Sequence, residues 1–297
     1  MKPETFVIVG ANLCGGTAAA SLREEGFEGR IVLIGEERLP PYERPPLAKE
    51  YLRGEQPLEA GFVRPPTWYE EHAIDARFGV RAERLDLGPR EVVLAGGERL
   101  RFDKLLIATG ARNRRFPIPG LDLPNVLDLR TVDDCAQIRA AARRGGRAVV
   151  VGMGFIGSEV AASLRSLGVE ITAVEPFETP LLRVLGPEIG RVVADVHRDN
   201  SVELVLGDSV ERFEGDGRVE AVVTKEGRRI ECDFAVVGVG VQPNAEIAEG
   251  TGLELNNGIV WTASSRPTRP GSSPRGTSPI TITRFSAGSA SSITTTR

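Results

Sequence analysis

The chain is poor in cysteine: three in 297 residues, Cys14, Cys135 and Cys232, all far apart. That spacing offers neither a metal cluster nor the close pair of a dithiol enzyme. The thiols therefore read as structural or incidental, and no metal site is expected. No apolar run approaches the ~20 residues that cross a bilayer, so no membrane span is expected. Neither sign of charge dominates: 37 basic against 41 acidic residues leave a net charge of −4. That excludes the basic footprint of a nucleic-acid-binding protein. No leader is evident, because Met1-Lys2-Pro3-Glu4-Thr5 runs straight into a strand, and a cytoplasmic location is expected. With 41% hydrophobic and 5% aromatic residues, the composition is that of an ordinary α/β protein long enough for two domains.

What is present is organised around residues 148–175. A buried apolar run, Ala148 to Val151, meets Gly152-Met153-Gly154-Phe155-Ile156-Gly157. An Ala- and Leu-rich helix and a second apolar run, Ile171 to Val174, follow and end in Glu175. This is a strand, a Gly-rich turn, a helix and a parallel strand. Gly152 makes the tight turn, Gly154 lets the backbone approach a pyrophosphate, and Gly157 lets helix pack on strand. The pyrophosphate is expected on the helix N-terminus. Glu175 stands where a carboxylate bonds both ribose hydroxyls of an adenosine. It repels a 2′-phosphate, so NAD is favoured over NADP.

A second fingerprint stands at the start. Phe6-Val7-Ile8-Val9 is a strand, Gly10-Ala11-Asn12-Leu13-Cys14-Gly15 the turn, and Ala18 to Glu25 a helix. Ile31 to Ile34 is the second strand, ended by Gly35-Glu36-Glu37. Asn12 occupies the middle glycine position; it tolerates positive φ better than most residues, so the turn is expected to survive. Glu36 is the expected ribose ligand, with Glu37 the alternative. Leu39 to Leu52 (LPPYERPPLAKEYL) is held extended by prolines and then turns helical near Pro46, with Arg44 and Lys49 able to face a ligand. From Ala76 to Leu106 the texture is short strands, with a hairpin at Gly96-Gly97. Leu105 to Gly110 is a buried strand ending in Ala108-Thr109-Gly110, where a backbone can approach a cofactor. Thr131 caps a helix through Arg144. A further helix runs from about Pro187 to Arg198, and both histidines, His72 and His197, read as surface residues. Ala235 to Val241 (AVVGVGV), with Gly238 and Gly240, is buried, and Leu253 to Val260 reads as a return strand pair.

Taken together, PYERPPLAKEYL, LLIATGAR, VVVGMGFIGSEVAASL, PLLRVLGPEIG, VVGVGVQPN and GLELNNGIV resemble the FAD-dependent NADH:ferredoxin reductases of oxygenase systems. The resemblance covers nearly all of residues 5–260, in the family's order. It implies an α/β fold of two Rossmann-like dinucleotide-binding domains, the first for FAD and the second for NAD(H). Hydride from NADH passes to the flavin in that family, and electrons leave singly for a ferredoxin or similar small iron–sulfur protein. The resemblance places Lys49 near the reducible end of the flavin with Glu159 as its carboxylate partner, and Arg44 facing the flavin or its phosphates. It counts Gly10, Asn12, Gly15, Glu36, Ala108, Thr109 and Gly110 among the FAD contacts. Gly152, Gly154, Ile156, Gly157, Glu175, Gly238 and Gly240 are the expected NAD contacts. A cysteine facing the flavin, as relatives that reduce disulfides need, is missing from Pro40 to Lys49. A flavin NADH oxidase or nitrite-reductase-type enzyme is the enzymatic alternative, and an inactive NAD-binding remnant the other.

The expected organisation is residues 1–112 as the first part of an FAD domain, 113–241 as an NAD domain and 242–260 as an incomplete return to the FAD domain. Residues 261–297 are rich in Ser, Thr, Pro, Arg and Gly, and by composition are disordered. The family has T-x-x-P-x-V-F-A-x-G-D there, then a C-terminal interface domain. Shifting the codons of Pro267 to Thr277 by one nucleotide permits T-D-A-P-G-V-F-A-A-G-D. A frameshift near Val260, with the interface domain missing and FAD weakly held, is therefore expected.

Overall fold

A computed structural model describes residues 3–260 and 280–282. In chain order these form β1 (Thr5–Val9), α1 (Leu13–Glu24), β2 (Arg30–Gly35), α2 (Glu50–Arg53), α3 (Pro66–Glu71) and β3 (Ile74–Phe78). Next come β4 (Ala82–Asp86), β5 (Glu91–Leu94), β6 (Arg99–Arg101), β7 (Lys104–Ile107), β8 (Ala111–Asn113), β9 (Val126–Asp128) and α4 (Val132–Ala142). The chain continues with β10 (Arg147–Val151), α5 (Phe155–Ser166), β11 (Glu170–Glu175), α6 (Leu182–Asp199), β12 (Val202–Leu206) and β13 (Val210–Glu214). It ends with β14 (Ala221–Thr224), β15 (Arg229–Glu231), β16 (Phe234–Val237), β17 (Val241–Pro243) and β18 (Ile280–Ile282). Among the described residues no helix is long and apolar enough to cross a membrane.

Packing divides the described chain into two units. The first holds residues up to 43, 61–112 and those from 242 on; the second holds 44–60 and 113–241. The first unit has a parallel sheet in the order β18-β7-β1-β2-β3. Its inner strands are continuous apolar runs because both faces are covered. Alternation then sorts the side chains. Val7, Val9, Val32, Ile34, Leu105 and Ile107 pack with Leu85, Val92, Leu94 and Leu100 of the antiparallel sheet β4-β5-β6. Ile8, Ile31, Leu33 and Leu106 pack on the other face with Ala18 and Ala19 of α1 and with Tyr69. The return segment adds Ile247, Ala248 and Leu253 to the first cluster.

Two tail expectations meet the structure here. Residues 261–279 and 283–297, including the stretch read as out of register, lie outside the described residues. Ile280–Ile282, however, is a strand paired in parallel with β7, Ile280 opposite Leu105. For these three residues alone this departs from the disorder expected of the tail: Ile-Thr-Ile is β-branched, and β7 offers an open edge. The strand pair expected over Leu253 to Val260 reduces to one bridge, Leu255 to Ile259.

The second unit has a parallel sheet ordered β12-β11-β10-β16-β9 and an antiparallel sheet β13-β14-β15. Val149, Val151, Val174, Ala235 and Val237 share a core with Phe213, Val222 and Ile230. Thr131 caps α4 with a complete box: the Asp134 amide donates to Thr131 Oγ1 at 3.2 Å, and the Thr131 amide to Asp134 Oδ2 at 2.7 Å. Residues 44–60, taken from sequence with the first domain, pack in this unit. Cys135 Sγ of α4 donates to Leu47 O at 3.2 Å, and Arg139 lies over the Tyr51 ring. Burial pushes the Cys135 and Cys232 thiols up to about 12, which keeps them protonated and unreactive.

α6 turns its small residues inward. Its large apolar residues Ile189, Val192 and Val196 are exposed, while Gly190, Ala194 and His197 face inward. Gly186, at φ 76°, breaks the helix after its first turn, and the small residues then let the remainder sit close. A Cβ on Gly190 would lie 2.2 Å from Thr179 Oγ1. His197 is therefore no surface residue: it is 7% exposed, and desolvation lowers its pKa below the usual 6.5. His72 is exposed and stacks on Trp68, rings 4.0 Å apart.

The unfolded chain takes up the His197 proton near pH 6.5, where the folded chain still refuses it. The stability held above that pH is lost as pH falls through 6.5 towards the folded value. Denaturant unfolding at pH 7.5 and 5.5 is expected to show a fall, at most about 1.4 kcal/mol per pH unit for one proton. His197→Gln is expected to remove that part of the slope.

Candidate functional site

In the second unit β10 ends at Gly152, whose φ of 90° turns the chain into α5. A Cβ on Gly157 would stand 1.8 Å from Gly152 O, so the helix is set against the turn by carbonyl contact. Gly154 is the N-cap residue of α5 with ordinary extended backbone, φ −73° and ψ −168°, and no side chain caps the helix. Nothing lies within 4 Å of its missing Cβ. The first amides of α5 thus face open space where a phosphate fits. Ile156 lies in that first turn. Gly238 N donates to Val151 O at 2.8 Å, and Gly240 lies just beyond, at φ 106°.

Glu175 is buried at the end of β11, 5% exposed. Its Oε2 accepts the Met153 amide at 2.5 Å and its Oε1 the Phe177 amide at 3.2 Å. The carboxylate thus ties the glycine turn to the segment after β11. A carboxylate has about four lone-pair sites, so two remain for ribose hydroxyls.

The first unit repeats the turn with differences. Gly10 (φ 112°) carries it, and a Cβ there would meet Ala108 O at 2.1 Å. A Cβ on Gly15 would meet Gly10 O at 1.8 Å. Asn12, expected to need positive φ, has φ −90° and ψ −173°, the conformation of Gly154. The middle position demands room, not a left-handed backbone. Asn12 supplies the room by bending back, its Nδ2 3.4 Å from Ala108 O. Gly10 N bonds Ile34 O as Gly152 N bonds Val174 O, so Gly35, not Glu36, is the counterpart of Glu175. No side chain fits there, because a Cβ on Gly35 would lie 2.4 Å from Ala11 Cβ. Glu36 stands one residue further out, exposed and 3.5 Å from Arg81. Glu37 Oε2 accepts from Tyr42 Oη at 2.5 Å. Ala108-Thr109-Gly110 is strapped by Asn244, the last residue of VVGVGVQPN, to which the sequence assigned no role. Thr109 Oγ1 donates to Asn244 O at 2.6 Å, Asn244 Nδ2 to Thr109 O at 3.0 Å, and Asn244 N to Gly110 O at 3.0 Å.

Lys49 and Glu159 meet in the second unit, Nζ to Oε1 at 2.9 Å. The geometry follows from α5. Glu159 and Ser163, four residues apart, lie on one helix face. Ser163 Oγ donates to Ala48 O at 2.7 Å, so Lys49 is delivered to the acid one turn back. Ser163 was not singled out from sequence; its place four residues after Glu159 was the available signal. Arg44 Nη1 donates to the backbone carbonyl of Arg130 at 2.7 Å, which fixes the direction of its guanidinium. No group of three or more His, Cys, Asp or Glu able to hold a metal occurs among the described residues.

Two glycine turns of this build, each joining parallel strands through a helix, define an α/β protein with two dinucleotide-binding units. The chain matches the pyridine nucleotide-disulphide oxidoreductase family over residues 4–271 and belongs to it. It is 39% identical over 257 residues to rhodocoxin reductase of Rhodococcus erythropolis, covering 86% of this chain and 60% of that protein. It is 38% identical over 267 residues to the biphenyl dioxygenase system ferredoxin–NAD(+) reductase component of Paraburkholderia xenovorans, covering 90% and 65%. Among solved structures, a ferredoxin reductase from Rhodopseudomonas palustris superposes with TM-score 0.88 at 35% identity, covering 94% of this chain and 67% of that one. The putidaredoxin reductase–putidaredoxin complex gives 0.87 at 32%, covering 94% and 66%. The chain spans 60 to 65% of the length of those two curated relatives.

The two α5 glycines are expected to separate on substitution. Gly157→Ala forces a carbonyl clash and is expected to destabilise by about 1–3 kcal/mol. Gly154→Ala, unstrained and facing open space, is expected to keep the melting temperature while weakening nucleotide binding. Thermal melts with and without NADH check both; a normal melt for Gly157→Ala would contradict the contact.

Proposed function

We propose that the chain is the nucleotide-binding portion of an FAD-dependent oxidoreductase that takes hydride from NADH and passes electrons singly to a small ferredoxin-like protein in the cytoplasm. The observation that carries this reading is the Lys49–Glu159 pair on the face of the second fingerprint helix. The names of the relatives, reductases of ferredoxins in oxygenase systems, support it.

FAD when bound supplies the two-electron to one-electron conversion, which is the cofactor's own chemistry. The first unit's contribution is the cradle: Gly10, Asn12 and Gly15 at the helix start, with Ala108, Thr109 and Gly110 alongside and Glu36 or Glu37 for the ribose. The second unit's contribution is NADH binding by Gly152, Gly154, Ile156, Gly157, Gly238 and Gly240, with Glu175 at the ribose. Lys49 would hold a positive charge toward the reducible end of a bound flavin, and Glu159 would fix its direction. Arg44 offers its guanidinium to the flavin or its phosphates. Both members of the Lys49–Glu159 pair are partly exposed, so their attraction contributes only about 0.2–1 kcal/mol to folding. The pair is therefore explained by orientation rather than by stability.

Stopped-flow reduction of the FAD-loaded protein by NADH tests the assignment. Glu159→Gln is expected to slow hydride transfer at least tenfold, with an unfolding free energy within about 1 kcal/mol of the unaltered chain. An unchanged transfer rate would sink the role given to the pair. Reoxidation by a ferredoxin faster than by oxygen is expected; the reverse order would favour an NADH oxidase.

A further inference from the structure

We infer that Arg53 and Ser163 are positioning residues for Lys49: a chain of hydrogen bonds from Glu55 through Arg53 and Ser163 to Ala48 O fixes the backbone that carries the lysine towards Glu159. The inference deepens the role proposed for the Lys49–Glu159 pair and rests on it. All of these residues lie within the second unit.

The chain of bonds starts from a local feature of the sequence. Gly54 follows α2 with φ 78°, a left-handed position that glycine takes readily. Gly54 N bonds Tyr51 O at 3.1 Å and Glu55 N bonds Glu50 O at 2.9 Å, which folds Glu55 back beside Arg53. The Arg53 guanidinium meets that carboxylate fork to fork, Nε donating to Oε1 and Nη2 to Oε2, both at 2.7 Å. A planar cation held this way has one orientation. Its remaining nitrogen, Nη1, donates to Ser163 Oγ at 3.2 Å.

A hydroxyl has a single proton to give. Ser163 Oγ accepts from a cation, so its own proton is directed away from Arg53, and it goes to Ala48 O at 2.7 Å. Without the guanidinium the same hydroxyl is free to turn back to a carbonyl of its own helix, a common choice for serine inside a helix. Arg53 thus decides what Ser163 donates to, and Ser163 decides where Ala48 O sits. Arg53 also acts through its amide, which donates to Lys49 O at 2.9 Å. The carbonyl before Lys49 and the carbonyl of Lys49 itself are both fixed by this pair. Ser163 is 2% exposed, so water does not compete for the hydroxyl. Lys49 and Glu159 are both partly exposed, and such an ion pair is too weak to hold a flexible lysine stem in place alone. The direction has to come from the backbone.

The test combines stopped-flow reduction of the FAD-loaded protein by NADH with reductive methylation of lysines in the full chain, read by mass spectrometry. Lys49, Lys104 and Lys225 are the lysines among the described residues, so Lys104 and Lys225 serve as references. Ser163→Ala and Arg53→Leu are each expected to slow hydride transfer at saturating NADH about tenfold, short of the ~100-fold that an ångström of misplacement can cost. The NADH concentration giving half the maximal rate is expected to stay unchanged. The double variant is expected to be no slower than the slower single one, as for two links of one chain. Lys49 is expected to methylate several-fold faster in either variant, with Lys104 and Lys225 unchanged. Losses that multiply in the double variant, or Lys49 methylation unaltered in both single variants, would overturn the relay. A matching rise at Lys225 would mean that the whole unit had loosened and would overturn it too. Glu159→Gln separates this inference from the reading beneath it. If Glu159→Gln slows transfer and Ser163→Ala does not, the relay falls and the pair stands. If Glu159→Gln leaves transfer unchanged, the role of the pair falls and the relay with it.

Discussion

The contact on which the rest depends is between backbone and backbone. In each unit the third fingerprint glycine, Gly15 or Gly157, lies where a Cβ would stand 1.8 Å from the carbonyl of the first. That approach sets the helix axis on the strand end and aims the uncapped amides at one point in space. An extra methyl on either glycine would push the helix away and scatter those amides. Everything placed by α5, from the phosphate cradle to Glu159, inherits its position from this one contact.

α5 then acts as a ruler for chemistry. Its periodicity puts Glu159 and Ser163 on one face, and residues 47–49, at the end of a 3-10 turn over Pro45–Ala48, are each held by a single polar contact with a helix side chain. Ser163 takes Ala48, Glu159 takes Lys49, and Cys135 of α4 takes Leu47. A flexible lysine thereby acquires a fixed direction without being buried.

The two turns look alike yet are not interchangeable. After β11 a buried carboxylate joins the turn to the next segment; after β2 the matching position is a glycine with no room for a side chain. The first unit instead leaves its acids outside, Glu36 on Arg81 and Glu37 on Tyr42. One scaffold therefore ends its second strand in two chemically different ways, a buried carboxylate in one unit and a glycine in the other.

Much of this was legible in the chain itself. Apolar runs, glycine spacing and the Thr131 cap report local backbone demands, and local demands show in a short window of residues. The Lys49–Glu159 pair was legible only through family resemblance, because the 109 intervening residues carry no signal of contact. Four things escaped. His197 is buried because Gly190 and Ala194 draw that face of α6 inward, whereas hydropathy alone turns Ile189, Val192 and Val196 in. Asn244 and Ser163 make their bonds to backbone atoms distant in sequence, which no residue type announces. Residues 44–60 join the second unit through hydrogen bonds to helices that sequence order places far away. By itself, then, the sequence determined the two strand–turn–helix units and the residue types at their turns, since those follow from sterics within a few residues. Which carboxylate is buried, which cation is aimed and which face of a helix turns inward were decided only by tertiary structure, because each depends on what the rest of the chain leaves room for.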